Sequence, residues 1–537
     1  MPTAPLSTGT NSAPARERAT HWVLVGGWVL AAALLRGVLS ACVPLLPDET
    51  YYWEWSRRLE AGYFDHPPGI AVLIRAGTLL LGDRSAGVRA GPALAALATH
   101  MGAVLCAWHL AGRGDAGRLA ARRAAMLVTL LPIATLGLVL ATPDAALFAT
   151  AMIALLAVER ALATPVRSWA SFLWWLLAGV ALGGAFVAKY TAVLLPMGLV
   201  IACLVHPALR RRYADAGPWV AGAVALALFA PVVAWNLFNN WISFRFQLGH
   251  GFNAVSRGNP VSRELEMLGA QAGLASPILF GLLAVVVWVA LRDGWRTRGT
   301  AQPTDLSARR FALAVVAVVP LGFFAISAWR RPVEANWPAM IYPAAMMLLA
   351  TSPLPVAHGV WWRRGVWLAA GLLAVVAVQA ATPILPLAPR RDPIARAHGW
   401  RALADSVAAA RRDPFLNGTV DRWVAADRYQ DASELAFHLP DQPTVFSLNL
   451  GGRTNHYDVW PNAWQRVRPG DGLIVAFDAD AKGDSLARVV GGWFKDMRPG
   501  ALVPLQREGR TVTTRRLWLY RIAQNVPRTS PTHPEVP

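Results

Sequence analysis

The sequence predicts a polytopic α-helical membrane protein with a small α/β domain at its carboxyl end. Three observations predict it. Hydrophobic residues make up 55% of the 537 and charged residues only 15%, against about 25% charged in soluble domains. Long runs such as 22–42, 124–141 and 281–291 are almost free of charge, and a span needs roughly 20 mostly apolar residues. From about residue 388 onward the chain reverts to the mixed patterning of a soluble domain.

Residues 1–20 are rich in Thr, Ser, Ala and Pro, a composition expected to be disordered. The apolar run that follows ends without a small-residue cleavage site, so it is expected to be a retained first span. About eleven spans are predicted, over 22–42, 89–112, 124–141, 145–162, 171–188, 191–206, 217–235, 273–291, 311–328, 338–352 and 366–386. Together they make a membrane unit over 21–387, with a first outer loop at 43–88. The 24 tryptophans fit aromatic belts at the two interfaces. The three cysteines, Cys42, Cys106 and Cys203, have no spacing that suggests zinc or a disulfide framework.

The formal charge of +19 is carried by arginine in alternate loops. Arg16, Arg113, Arg118, Arg122, Arg167, Arg210–Arg212, Arg296 and Arg363 all fall in one set. The positive-inside rule puts that set, and the amino terminus, in the cytoplasm. The expected location is therefore the cytoplasmic (inner) membrane, with the carboxyl-terminal domain extracytoplasmic. No nucleic-acid-binding module accompanies the positive charge, so nucleic acid is not an expected partner. Membrane lipids are, and the chain is expected to act as a monomer.

The second set of loops holds the unusual polar residues: Asp48, Glu49, Asp65, His66, Asp144, Lys189, Arg245, His250 and Glu334. They sit at span ends, whereas a carrier places ionisable groups near mid-membrane. Beyond 388, an amphipathic helix is expected over 394–412 and strands over 423–426, 445–450, 473–477, 502–506 and 516–522, with a helix over 431–438. That is a small α/β domain over 388–525, with a disordered end at 526–537. Asp478-x-Asp480-x-Lys482-Gly483 has a calcium-loop spacing, but Lys482 and Val489 break the ligand pattern and it reads as a surface turn.

The most informative stretch runs from Pro47 to Gly69, PDETYYWEWSRRLEAGYFDHPPG. An Asp-Glu pair directly follows the first span, an aromatic segment comes next, and Tyr63-Phe64-Asp65-His66-Pro67-Pro68 closes the stretch. Read as composition alone, it is a solvated interfacial flank with an aromatic belt. In residue order it resembles the first outer loop of the GT-C glycosyltransferases, above all the aminoarabinose lipid A transferases and protein O-mannosyltransferases. Thr142-Pro143-Asp144, Ala188-Lys189-Tyr190-Thr191, Trp241–Gln247 with His250, and Ala335-Asn336-Trp337-Pro338 are similar to that family's later outer loops. One residue departs from the aminoarabinose transferases, which carry a phosphate-contacting lysine where this chain has His66. The resemblance is thus to the wider family.

The resemblance implies an inverting glycosyltransferase. Its donor would be a polyprenyl-phosphate-linked sugar and its acceptor lipid A, another envelope glycan or protein. In that chemistry Asp48 is the candidate general base, or a positioning group if the acceptor is an ionised phosphate. Glu49 would shift the Asp48 pKa or orient it. Lys189 is the first candidate for the donor phosphate, against the alternative of an interfacial lysine that snorkels to the headgroups. Arg245 is a second candidate, and Tyr52 and Tyr63 would add hydroxyl donors. His66, Asp144 and Asn336 complete the expected substrate contacts. No cofactor is required by this reading. A divalent metal on Asp65, His66 and His250 stays open, because imidazole and carboxylate suit zinc or manganese. The competing functions are a lipid or sugar transporter and a non-catalytic scaffold that presents the tail.

Overall fold

The computed structural model describes residues 15–522, apart from 253–257, 303, 390–391, 493 and 495. The expected disordered segment 526–537 and most of 1–20 lie outside these residues. Residues 15–20, expected to be disordered, are instead the opening turns of the first helix, α1 (Ala15–Cys42). Their Ala, Arg and Glu are strong helix formers.

A short α2 (Pro47–Arg57) and α3 (Gly69–Leu81) follow before the long α4 (Ser85–Leu110). Then come α5 (Asp115–Leu130), α6 (Pro132–Gly137), α7 (Pro143–Ala163), α8 (Trp169–Ala188), α9 (Leu194–Val205), α10 (Pro207–Arg210) and α11 (Ala216–Phe238). The membrane part closes with α12 (Ile242–Phe252), α13 (Pro260–Ala275), α14 (Pro277–Thr297), α15 (Leu306–Arg330), α16 (Ile341–Ala350) and α17 (Val360–Ala381).

The predicted spans fall largely on helix, but helix length and apolarity do not by themselves give the count of eleven. Among the described residues eight helices are long and apolar enough to cross a membrane, or nine if the pair 190–205 and 207–214, bent by 110°, is one span. Proline explains part of the difference. Pro132 separates α5 from α6, and lacking an N–H it leaves the Val128 carbonyl without its helical donor. Arg36 fills that vacancy from α1, donating to Val128 O at 3.1 Å. α16 is short for another reason. All ten of its residues are buried, so it is wrapped by neighbouring helices and need not match the bilayer thickness. The segment 236–272, expected as a long loop, is largely the two helices α12 and α13.

The tail is an α/β unit. α18 (Trp400–Ala410) leads to β1 (Arg422–Ala426), α19 (Tyr429–His438), β2 (Val445–Ser447), α20 (Ala463–Arg466), β3 (Gly472–Asp478), α21 (Ala481–Gly491), β4 (Asp496–Arg507) and β5 (Arg510–Arg521). The sheet order is β2-β1-β3-β5-β4, with β1 parallel to both β2 and β3 and β5 antiparallel to β3 and β4. The helix expected from 394 begins only at Trp400. Gly399, at φ 90°, breaks it, and a Cβ there would meet the Leu505 backbone at 2.6 Å.

The tail does not hang free. Tyr51, Trp53, Trp55, Tyr63 and Ile70 of the first loop share one apolar core with Trp400, Leu403, Leu435, Tyr457 and Leu517 of the tail. Aromatic side chains bury large areas each, so this shared core fixes the tail on the end of the bundle that carries the first loop. Thr50 and Ser433 hydrogen-bond across the seam at 3.0 Å. A buried ion pair from Arg507 to Asp392, at 2.5 Å, ties β4 to the segment after α17, and the same arginine donates to the last carbonyls of α17.

Candidate active site

The site begins at the first turn of α2. Pro47 starts the helix with its φ already set, and Asp48 and Glu49 follow at the positive end of the helix dipole. The two carboxylates have different surroundings. Glu49 is fully buried and accepts from Arg89 Nε at 2.8 Å and from its terminal nitrogen at 2.6 Å. It also accepts the backbone N–H groups of Leu46 and Ala141. Every lone-pair direction is occupied, so Glu49 holds α2 against α4 and the turn before α7. The geometry fits both roles expected of Glu49, orienting the turn and raising the Asp48 pKa, and leaves it no free oxygen for catalysis.

Asp48 instead faces a cleft of about 950 Å³ between α2 and the tail, lined also by Arg396, Arg428, Gln430, Asp431 and Thr513. Solvent reaches Asp48 through this cleft, yet the surrounding protein holds its carboxyl above the usual range. Burial is the main cause, reinforced by the Asp65 and Glu49 carboxylates and opposed by Arg396 and Arg453.

A second cluster assembles three residues from three loops. Asp144 opens α7 after Pro143, and Lys189 caps the carboxyl end of α8. The Lys189 ammonium donates to Asp144 Oδ1 at 2.7 Å, and Asn336 Nδ2 donates to Asp144 Oδ2 at 2.9 Å. Lys189 is only 7% exposed, so the snorkelling reading fails: the side chain turns into the protein. An ammonium carries three donors, and Asp144 takes one of them.

His66 and Tyr52 link the two clusters. Their rings lie 6.1 Å apart. Lys189, Asp65 and Asp144 all act electrostatically on His66, whose pKa falls to about 4, chiefly through burial. The imidazole is therefore neutral at physiological pH. Asp48, Asp65 and Asp144 likewise bear on Tyr52, whose hydroxyl pKa is driven well up by burial and these charges.

Other expected site residues are placed elsewhere. Tyr63 stacks on Trp55 at 4.4 Å. Its hydroxyl is spent on the Trp55 and Arg58 carbonyls and the Glu60 N–H, so it braces the loop and is no substrate donor. Arg245 is exposed on α12, and the His250 side chain lies outside the described residues. Asp65 gives one oxygen to the Tyr51 hydroxyl at 2.9 Å and the other to Arg453 at 2.6 Å, which leaves it ill-suited to a metal. Among the described residues no group of three or more His, Cys, Asp or Glu is arranged to hold an ion. In the sequence with calcium-loop spacing, Asp480 caps α21 through the Gly483 N–H at 2.7 Å, in keeping with a turn.

Residues 65–235 match the family model described as dolichyl-phosphate-mannose-protein mannosyltransferase. The lipid A galacturonosyltransferase RgtD of Rhizobium johnstonii is 30% identical over 305 residues, which are 56% of this chain and 59% of RgtD. The chain thus spans about three-fifths of the length of this curated relative. The crystal structure of ArnT from Cupriavidus metallidurans in the apo state superposes with a TM-score of 0.59 at 17% identity, covering 94% of this chain and 99% of ArnT. The same protein bound to undecaprenyl phosphate matches equally, with TM-score 0.59, 17% identity and the same coverage. The chain has an ArnT-like GT-C fold.

Several residues that shape the candidate site carry no signal in the sequence. Arg89, the partner of Glu49, reads in sequence only as a charge at the start of a span. Arg453 reaches from the tail to Asp65 and also donates to the Tyr429 hydroxyl at 3.0 Å. The His456 ring Nδ1 accepts the Phe64 N–H at 3.1 Å, and the His456 backbone N–H donates to the Tyr51 hydroxyl at 2.7 Å. Glu60 gathers the indole N–H groups of Trp235 and Trp460, each at 2.8 Å. Their partners lie far away in the sequence, so no local pattern marks them.

Proposed function

We propose that this chain is an inverting glycosyltransferase that moves a sugar from a polyprenyl-phosphate carrier to an acceptor on the extracytoplasmic face of the inner membrane. The observation that carries this reading is the convergence of a cleft-facing carboxylate, Asp48, with the buried Asp144–Lys189 pair around Tyr52 and His66. The relatives support it. One is named a lipid A galacturonosyltransferase and another was crystallised with undecaprenyl phosphate. Lipid A or a related envelope glycan is the acceptor class that fits these names best.

In this reading the acceptor oxygen enters from the cleft and attacks the anomeric carbon on the face opposite the phosphate. The bond from that carbon to the acceptor forms as the bond to phosphate breaks, which inverts the configuration. If the acceptor is a hydroxyl, its proton passes to Asp48, and the raised pKa brings the base closer to neutrality. If the acceptor is an ionised phosphate, Asp48 positions it. Lys189 directs a remaining donor at the leaving phosphate, where a preorganised charge acts most strongly. Polyprenyl phosphate is the second product.

The arginine distribution supports an extracytoplasmic site. A nucleotide sugar, held in the cytoplasm, is then no direct donor, and the lipid-linked sugar enters from the bilayer. The test is transfer by the purified full chain in proteoliposomes, with radiolabelled polyprenyl-phosphate sugars offered against lipid A and other envelope acceptors. Asp48→Asn is expected to lose at least nine-tenths of the transfer while inserting and melting like the wild type. Undiminished transfer by the variant would overturn the assignment of Asp48.

A further inference from the structure

We propose that Gln271 is a positioning residue for the donor-phosphate subsite, acting through the loop that carries Asn336. The inference rests on the reading of Lys189 as the phosphate contact.

Asn336 sits on an exposed stretch without regular structure between α15 and the short helix Trp337–Met340. Such a stretch loses its pose unless side chains pin it. Gln271 of α13 is fully buried, and its Nε2 donates to the carbonyl of Ala335, the residue before Asn336, at 2.9 Å. The orientation of that amide is fixed from the other side. The Tyr342 hydroxyl, also fully buried, donates to Gln271 Oε1 at 3.1 Å and lies 3.1 Å from the Gln271 carbonyl. With its oxygen committed to Tyr342, the amide presents only N–H groups to Ala335.

The chain of contacts then runs from Ala335 to Asn336, from Asn336 to Asp144 at 2.9 Å, and from Asp144 to Lys189 at 2.7 Å. Asn336 occupies one oxygen of Asp144 and leaves the other for Lys189. Without that restraint the carboxylate is free to turn both oxygens on the ammonium. The lysine would then be more fully neutralised and drawn off the phosphate. Gln271 touches neither substrate nor reacting atoms. Its effect should therefore appear in the donor phosphate affinity more than in the chemical step.

The test uses the detergent-solubilised full chain and undecaprenyl phosphate as the probe. Gln271→Glu keeps an acceptor for Tyr342 but removes the N–H aimed at Ala335. It should weaken undecaprenyl phosphate binding about three- to tenfold, the range of one neutral hydrogen bond. The donor KM should rise in step, with kcat within twofold and the acceptor KM unchanged. Tyr342→Phe, a milder variant that loosens only the amide, should move the same constants in the same direction. Lys189→Ala is measured in parallel. If it weakens binding while Gln271→Glu and Tyr342→Phe bind like the wild type, the positioning role is overturned and the phosphate contact stands. If Lys189→Ala also binds like the wild type, the phosphate contact and the inference fall together. A Gln271 variant that lowers kcat and raises both KM values alike would show a merely structural role and overturn the inference.

Discussion

The Arg453 guanidinium of the tail donates to the Asp65 carboxylate of the first loop at 2.6 Å, across 388 residues of sequence. The same arginine lies over the rings of Phe246 and Tyr429. First loop, tail and α12 therefore meet at one side chain, and Asp65 in turn holds the Tyr51 hydroxyl at the base of α2. The tail is built into the wall of the site beside Asp48.

Arg453→Ala should accordingly lower transfer at least tenfold without unfolding the tail, whose core lies mostly elsewhere. Arg453→Lys should recover part of the loss, because an ammonium keeps the charge but not the fork geometry. Transfer assays beside melting curves check it, and full activity in the alanine variant would remove the tail from the mechanism.

Glu49 and Asp48 should separate by phenotype. Arg89→Ala leaves the fully buried Glu49 without its cation, a change that costs roughly 3–5 kcal/mol in comparable buried pairs. Both Arg89→Ala and Glu49→Ala should lower yield and melting temperature sharply. Asp48→Asn should leave both intact and remove only activity. Size-exclusion profiles and thermal melts in detergent distinguish the two patterns.

Lys189→Ala should weaken use of the polyprenyl-phosphate donor by about 10- to 150-fold, the worth of one charge-assisted hydrogen bond of roughly 1.5–3 kcal/mol. Lys189→Arg should rescue only in part, since the buried pocket at Asp144 is shaped for a compact ammonium. Steady-state kinetics with varied donor gives the answer.

With a hydroxyl acceptor, the activity should have an acid limb set by Asp48. The base works ionised, and its folded-state pKa is raised. As pH falls through that raised value the carboxylate gains its proton and kcat/KM drops. The limb should therefore lie above the usual carboxylate range and be absent from the residual activity of Asp48→Asn. His66, already neutral with a pKa near 4, should contribute no limb near neutrality. A pH–rate profile of kcat/KM for wild type and Asp48→Asn tests the assignment.

Topology is open to a direct check. A phosphatase that folds only outside the cytoplasm should be active when fused after Ala388 and silent after Arg212. A fluorescent protein that matures only inside should report the reverse. A cytoplasmic tail would place Asp48 and Lys189 where nucleotide sugars are available and would remove the argument for a lipid-linked donor.

The sequence by itself determined the polytopic helical architecture, the α/β tail and the loops in which the proposed site lies. These follow from composition and period, which each stretch of chain carries locally: apolar runs of bilayer length, arginine in alternate loops, and short alternating strands. It determined the Asp-Glu pair as a pair but not the division of labour within it. Only the tertiary structure set Glu49 against Arg89 and turned Asp48 to the cleft, because that choice depends on an arginine 40 residues away. The same holds for Lys189, whose two readings, headgroup or site, differ only in where Asp144 lies. Fewer than eleven of the described helices reach bilayer length because that length is a rule for helices that face lipid, and α16 faces protein on every side. The role of the tail was hidden for a related reason. Arg453 and His456 act on residues of the first loop, and contacts between distant segments leave no periodic trace in either one.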